Sequence, residues 1–549
     1  MNLKYVFIAF LATVVVSCTS VWAAQHQVKL DGSGDFASIQ DAIDLAQDGD
    51  LIVVWPGTYY ENVRLNGKNL VVRSLSPQDA NVVASTVIDG GRAGTVVTFS
   101  GTEDESCELS GFTITNGQSV NGGGIVGGFY AASRTQARIT SCVVVGNYAE
   151  YGGGMYLSNG DVVGCVVKGN EAQYDGGGMF SFHGLISGCT IEGNLAGCGG
   201  GGLFRCNGEI VDCTIDENRA EYGGGLYYCD GQIDGCLVTR NSADYGGGVC
   251  GCVGAITSCV IVDNAAEYYG GGLYSCYSAI ANCLVRGNSA THGGGLYGCE
   301  ASLTNCTISE NHAELGGGLC SSYGPISSCI VWGNVASDGG EFYGISTPFY
   351  SCIGNWAYGG EGNISDDPLF TPGPLGDHYL CSLLAGQDAQ SPCIDAGAEW
   401  PKLLFLASLS TQTDSALDAN RVDMGYHYAP VDLNVQSYLN GSEFGPGDAI
   451  ECSIAVQNAA ADLAADVYLA FILPEGSVLC LTQDGLAAGI RPWLTGVILP
   501  QGLDFGPSVV YRLAVPSYAP TGPYHFAAAL AASGRDYFIS LSAAPFTID

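Results

Sequence analysis

The chain has 549 residues, of which 47% are apolar and 13% charged, with 81 glycines and a formal net charge of −36. That much apolar content excludes a disordered chain, so the glycines punctuate an ordered structure, and the length allows two to four domains on a ~150-residue prior. The charge argues against nucleic acid, which needs a basic footprint, and against an anionic membrane surface. A polyanionic glycan would be repelled too, unless a divalent cation bridged it.

Residues 1–24 read as a secretion signal. Lys4 supplies the positive start, and residues 5–16 form an apolar stretch too short to span a bilayer. Two processing sites fit. Val21-Trp22-Ala23 matches an ordinary signal-peptidase site, whereas Val15-Val16-Ser17-Cys18 matches a bacterial lipobox that would make Cys18 a lipid anchor. Either reading leaves 23 of the 24 cysteines for the mature chain, an odd number, so at least one thiol is free or pairs between chains.

Residues 36–47 carry Phe36, Ile39, Ala42, Ile43 and Ala46 at helical spacing. Such a helix would cover an exposed strand edge at the start of the fold. An internal repeat follows. Cysteines fall at 142, 165, 189, 213, 236, 259, 283, 306, 329 and 352, always 23 or 24 residues apart. Five residues after each of the first nine comes an asparagine: Asn147, Asn170, Asn194, Asn218, Asn241, Asn264, Asn288, Asn311 and Asn334. An alanine follows two residues later, then a glycine run, then an apolar residue such as Met155, Leu226 or Leu296. An earlier coil shares Asn116 and the glycines at 122–124 without the cysteine.

Two apolar stretches per period, such as Cys213-Thr214-Ile215 and Leu226-Tyr227-Tyr228-Cys229, predict short strands. Strands this short bury a face only against neighbouring coils. Stacking at about 4.8 Å, some thirteen coils would form a rod of roughly 60 Å. The expected fold is therefore all-β, a right-handed parallel β-helix over residues 25–428. Residues 429–549 lose the period. Their alternating segments at 450–456 and 466–473, broken by Pro and Gly, predict an immunoglobulin-like β-sandwich, in which Cys452 and Cys480 could pair.

Three sets of residues carry a family resemblance. The first is Asp31-Gly32-Ser33-Gly34-Asp35-Phe36 with Ile39-Gln40, Ala42-Ile43, Pro56-Gly57-Thr58-Tyr59, Glu61 and Val63. It resembles the opening of pectin-lyase-like β-helix proteins. The coils resemble the GGA-I and F-x-x-N repeats of chlamydial polymorphic outer membrane proteins. The third set is Asp367-Pro368-Leu369-Phe370, Ser391-Pro392-Cys393-Ile394-Asp395-Ala396-Gly397 and Val422-Asp423-Met424-Gly425. It resembles the tail of many bacterial β-helix proteins. The resemblance implies the fold over about 400 residues and says little of activity.

The asparagines are expected to stack as a structural ladder along the axis. The cysteine column, and a second one at Cys206, Cys229, Cys252, Cys276 and Cys299, fits packed thiols, some disulfides or, least readily, a metal, because zinc sites use short C-x-x-C pairs. All length variation among the coils sits between asparagine and glycine, the kind of variable loop that often forms a binding face. There Glu150, Glu221, Asp244, Glu267 and Glu314 recur at one position, and Tyr151, Tyr174, Tyr222, Tyr245 and Tyr268 at the next. Glu221, Asp244 and Glu267 come from consecutive coils and are candidate calcium ligands, while Tyr222, Tyr245 and Tyr268 are candidates for stacking on sugar rings. A solvated turn without ligand fits the same pattern.

Catalytic patterns are thin. The G-x-x-D-F-I-F-G segment of pectin methylesterases and the paired aspartates of polygalacturonases are not found, and Gln136-Ala137-Arg138 is only a tripeptide match to one methylesterase motif. Arg240 and Arg286 are candidate lyase bases, with no acid grouped beside them in sequence. Asp395 and Asp423 read as structural. Two functions remain: a non-catalytic adhesion or glycan-binding scaffold, extracellular or on the outer cell surface, whose partner is an extracellular polysaccharide or a cell-surface glycan; or a polysaccharide-active lyase or hydrolase.

Overall fold

The computed structural model describes residues 23–549 except 129–133, 400–405, 407–408, 414–415, 419, 429–432, 459–462, 475–477, 483–484, 489–490, 501–502, 517–520, 533–539 and 549. The expected signal, including Cys18, lies outside the described residues apart from Ala23 and Ala24. No helix among the described residues is long and apolar enough to cross a membrane.

Each regular coil makes three short strands, for example Ile210–Val211, Thr214–Asp216 and Leu226–Tyr227. Successive coils pair them in parallel, giving sheets of 13, 13 and 12 strands in a right-handed β-helix of about 14 turns. The alternation predicts two strands per coil. The third, just before each column cysteine, is two residues long in most coils and too short to alternate. Inside, Ile210, Cys213, Ile215, Leu226 and Cys229 are buried in one continuous core. The 23 cysteines among the described residues are free thiols, and the two columns pack as small apolar side chains. The Cys213 thiol donates to the carbonyls of Ile186 and Val211 at 3.5 and 3.3 Å.

The asparagine column forms a continuous ladder from Asn147 to Asn334. Asn218 is typical. Its Nδ2 donates to Asn241 Oδ1 in the next coil at 3.0 Å and to the Ile191 carbonyl in the preceding coil at 2.8 Å. Its backbone N–H donates to the same Asn241 Oδ1 at 3.0 Å. Each buried amide therefore ties three coils together with its donors satisfied. Asn116 does not belong to this column. It sits one residue early and donates to Asp89 Oδ2 at 2.8 Å, while Gly117 takes the ladder position and donates its N–H to Asn147 Oδ1 at 2.8 Å. At the far end Glu341 replaces the third glycine of its run, and its carboxylate receives the Asn334 Nδ2 and N–H at 2.8 and 3.2 Å. Burial raises the Glu341 carboxyl above the usual range.

The glycines follow from the same close approach. Gly223 sits at φ +60, where L side chains are strained. A Cβ on Gly225 would lie 2.6 Å from the Gly248 carbonyl oxygen and 3.2 Å from Asn241 Nδ2.

The ends are closed. The helix Ile39–Leu45 buries Ile39, Ala42 and Ile43 over the first coil, with Ser38 as its N-cap. The Glu61 carboxylate accepts from the Ile39 and Gln40 N–H groups at 2.9 and 2.8 Å, and Lys68 Nζ donates to the carbonyls of Ile43, Asp44 and Ala46. These opposite charges complement the two ends of the helix. At the other end Leu380, Cys393 and Met424 pack on Ile330 and Cys352. The tail is also bound along the rod: Asn282 exchanges two hydrogen bonds with the His427 backbone, and Asn305 Nδ2 donates to the Asp423 carbonyl at 2.8 Å.

Beyond the rod, the strands Leu433–Leu439, Ala449–Asn458 and Leu503–Ala514 form one sheet. A second sheet is built around Leu463–Ile472, Gly522–Ala532 and Ser540–Ile548. Ile450, Cys452, Ile454 and Val456 alternate inward and share a core of their own with Leu469, Phe471 and Phe526. Cys452 and Cys480 are both free, on different sheets, so the sequence-based pairing is not formed.

Asn241→Ala removes the acceptor of two buried donors of Asn218, and is expected to lower the unfolding free energy by on the order of 3 kcal/mol in denaturant titrations. A loss no larger than that of an exposed-turn substitution would contradict the ladder's role. Limited proteolysis is expected to cut at 428–432 and release two resistant units. One resistant unit running through that segment would contradict the boundary.

Candidate functional site

The turn after each asparagine carries a fourth line of short strands and bridges. In it Tyr222 pairs with Tyr245, Tyr245 with Tyr269, and Tyr269 with His292. The column therefore runs through Tyr269, whereas sequence counting places Tyr268 there. The 24-residue coil accommodates its extra residue as a bulge, with the register shifting between Ala243 and Tyr245. Glu267 and Tyr268 together oppose Asp244 in this bulge, and both are exposed, Tyr268 at 42%. Tyr174 stands in the same relation to Asp175, the register partner of Tyr151.

A second column faces this one across the glycine corner. On the third sheet the outward position reads Tyr156, Phe180, Phe204, Tyr227, Cys250, Tyr274 and Tyr297 in register. The two columns make one aromatic surface. Tyr222 stacks on Tyr245 at 4.9 Å and 9°, Tyr156 on Phe180 at 5.0 Å, and Phe180 on Phe204 at 5.0 Å. Cross-column contacts include Tyr222–Tyr227 at 5.6 Å and Tyr269–Tyr297 at 4.5 Å. Where the first column has Gly199 in place of a ring, Tyr227 fills the gap: a Cβ on Gly199 would lie 2.2 Å from the Tyr227 ring. Tyr222, Tyr227, Tyr245, Tyr269, Tyr274 and Tyr297 are all half-buried, with their outer parts in solvent.

Carboxylates line the outer margin. Glu221 and Glu267 are exposed and Asp244 half-buried. Asp244 and Tyr245 both donate backbone N–H groups to the Glu221 carbonyl at 3.0 Å. Burial and then Glu221 raise the Tyr222 phenol, while hydrogen bonding to Glu267 and its charge raise that of Tyr268. Among the described residues, the group whose ligand atoms all lie within 4.8 Å of one another is Asp395, Asp418 and Asp423, and Glu221, Asp244 and Glu267 make no such group.

That tail cluster is tied up by the protein itself. Asp423 accepts from the Asp395 N–H at 2.7 Å and from the Thr411 hydroxyl. Asp418 Oδ2 accepts from the Asp423 N–H at 2.9 Å and bonds His427 Nε2 at 2.8 Å. These hydrogen bonds tie the tail segments at 395, 411, 418 and 427 together around Asp418 and Asp423.

The candidate bases are also engaged. Arg240 pairs with Asp216, and with Glu217 at 3.2 Å; Arg286 pairs with Glu310 at 2.8 Å and Asp377 at 3.9 Å. Adding one coil length to Asp216 or Glu217 brings the count to Arg240, a signal sequence reasoning did not use.

No family model matches the chain. A cell surface glycoprotein of Methanothermus fervidus is 36% identical over 77 residues, which is 14% of this chain and 13% of that protein's length. Among solved structures, pectate lyase Pel9A aligns with a TM-score of 0.32 at 12% identity, covering 74% of this chain and 96% of that one. Pectin methylesterase from carrot aligns with a TM-score of 0.25 at 14% identity, covering 44% and 83%. The fold assignment rests on strand register, and neither likeness adds to it.

Burial, and then the Asp418 carboxylate, push Asp423 up to about 6 from an ordinary 3.8. A carboxyl raised in the folded state contributes stability that is full below its unfolded value and is lost as pH rises through the folded one. Melting curves from pH 4 to 7 are therefore expected to show a decline in the wild type that is absent in Asp423→Asn. Parallel curves would contradict the assignment.

Proposed function

We propose that this chain is a secreted or cell-surface β-helix protein that binds extracellular polysaccharide or cell-surface glycan through the double aromatic column, as a non-catalytic adhesion scaffold. One observation carries the reading: half-buried tyrosines recur on one face, Tyr222, Tyr245 and Tyr269 on consecutive coils of one column and Tyr227, Tyr274 and Tyr297 in the other. Sugar rings present C–H faces that suit such a surface, and aromatic side chains with one apolar and one wet end are typical binding residues. The secretion signal, the coil resemblance to polymorphic outer membrane proteins and the name of the short archaeal match support a surface location. The ion-paired state of Arg240 and Arg286 weighs against the lyase reading.

The test is retention on a glycan panel, with products assayed in parallel. For a retained glycan, Tyr222→Ala, Tyr245→Ala and Tyr269→Ala combined are expected to weaken binding by more than about tenfold, the scale of aromatic hot spots, with the melting transition kept. Tyr268→Ala is expected to have a smaller effect. No retention of any glycan by the wild type would overturn the proposal, and so would chain cleavage during the assay.

A further inference from the structure

The charge on this face narrows the ligand class. Resting on the glycan-binding reading above, we infer that the polysaccharide is one whose sugars carry free amino groups, lying parallel to the rod axis. Glu150, Glu221, Asp244, Glu267 and Glu314 follow the outer edge of the rings, each exposed or half-exposed, and Asp175 takes a ring position of the first column itself. Arg205, over the Phe204 ring at 5.3 Å, and Arg219 are the basic residues set among them, so the margin is acidic on balance. The whole molecule adds to this field, at −36. A polyanionic sugar chain laid on the rings would be repelled by these carboxylates, and among the described residues Glu221, Asp244 and Glu267 do not all stand within 4.8 Å of one another to share a bridging cation.

An amino-sugar chain meets both features at once. Its apolar C–H faces lie against the exposed edges of the stacked rings, while its ammonium groups face the carboxylates. Both columns repeat with the coil, about 4.8 Å, so successive sugars of an extended chain meet equivalent positions. Affinity should then grow with chain length, as each added sugar binds at high effective concentration. Carboxylates at a surface lose little solvation on pairing there. Each pair contributes modestly, and the preference for amines comes from several acting together.

The experiment compares glucosamine oligomers, their N-acetylated counterparts and oligogalacturonate, from two to about six sugars, by calorimetry on the full-length mature protein. The glucosamine series is expected to bind about tenfold tighter than the acetylated series, the sum of a few exposed ion pairs. The gap should widen with length and close at about 1 M salt, where charges are screened beyond about 3 Å. Oligogalacturonate should bind weakest. Combined Glu221→Gln, Asp244→Asn and Glu267→Gln should remove the amine preference and spare acetylated binding, while the tyrosine variants should weaken both. Equal binding of the two series would overturn the amine assignment and leave glycan binding standing. Oligolysine of matched length binding as tightly as the glucosamine series would show a surface for any polycation and overturn the sugar assignment. Binding by none of the sugars would overturn both readings.

Discussion

The close axial approach of one coil to the next at the asparagine–glycine corner governs this molecule. A carbonyl of the following coil stands where a side chain on the second or third glycine would begin, so those positions exclude a Cβ. The asparagine amide beside them supplies what the tight corner lacks, a donor to the preceding coil and an acceptor for two donors of that same coil. Glycine without the amide would leave buried backbone groups unpaired, and the amide without glycine would have no room. Glu341 shows the dependence at the last coil, where a carboxylate takes the acceptor role once no further asparagine follows.

The surface inherits this spacing. Because the corner fixes the rise between coils, residues at one repeat position stand one above another, and rings there come within stacking distance. The tyrosines stand on either side of the glycine corner, so the two columns form one surface rather than two isolated rows. Length variation is absorbed by bulges in the outer turn, which push Tyr174 and Tyr268 outward while the columns behind them stay in register. A rigid rod with an adaptable margin suits recognition of a repeating ligand.

Much of the rod is legible in sequence, because columns of identical residues at steps of 23 or 24 need no knowledge of strands. The asparagine ladder, the glycine runs and the cysteine columns announce themselves in this way, and the capping helix by its helical apolar spacing. Features that vary in residue type do not. The second aromatic column mixes Tyr, Phe and Cys, so no single letter recurs. Tyr268 and Tyr269 are adjacent, and only the register of the neighbouring coil tells which is bulged. Asn116 precedes its column position by one residue, which a motif match overlooks and a hydrogen-bond pattern does not. The grouping of Arg240 with Asp216 and Glu217 depends on the same vertical register, and the free state of Cys452 and Cys480 on how two sheets face each other.

The rod depends most on the asparagine amides being buried, bonded rungs. Selective labelling of asparagine side chains, followed by hydrogen exchange of their Nδ2 protons, reads this directly. The amides from Asn170 to Asn311 are predicted to exchange as slowly as backbone amides of the sheets, as a distinct protected set. Exchange of those side chains at the rate of solvent-exposed asparagine would contradict the ladder and the fixed coil spacing built on it.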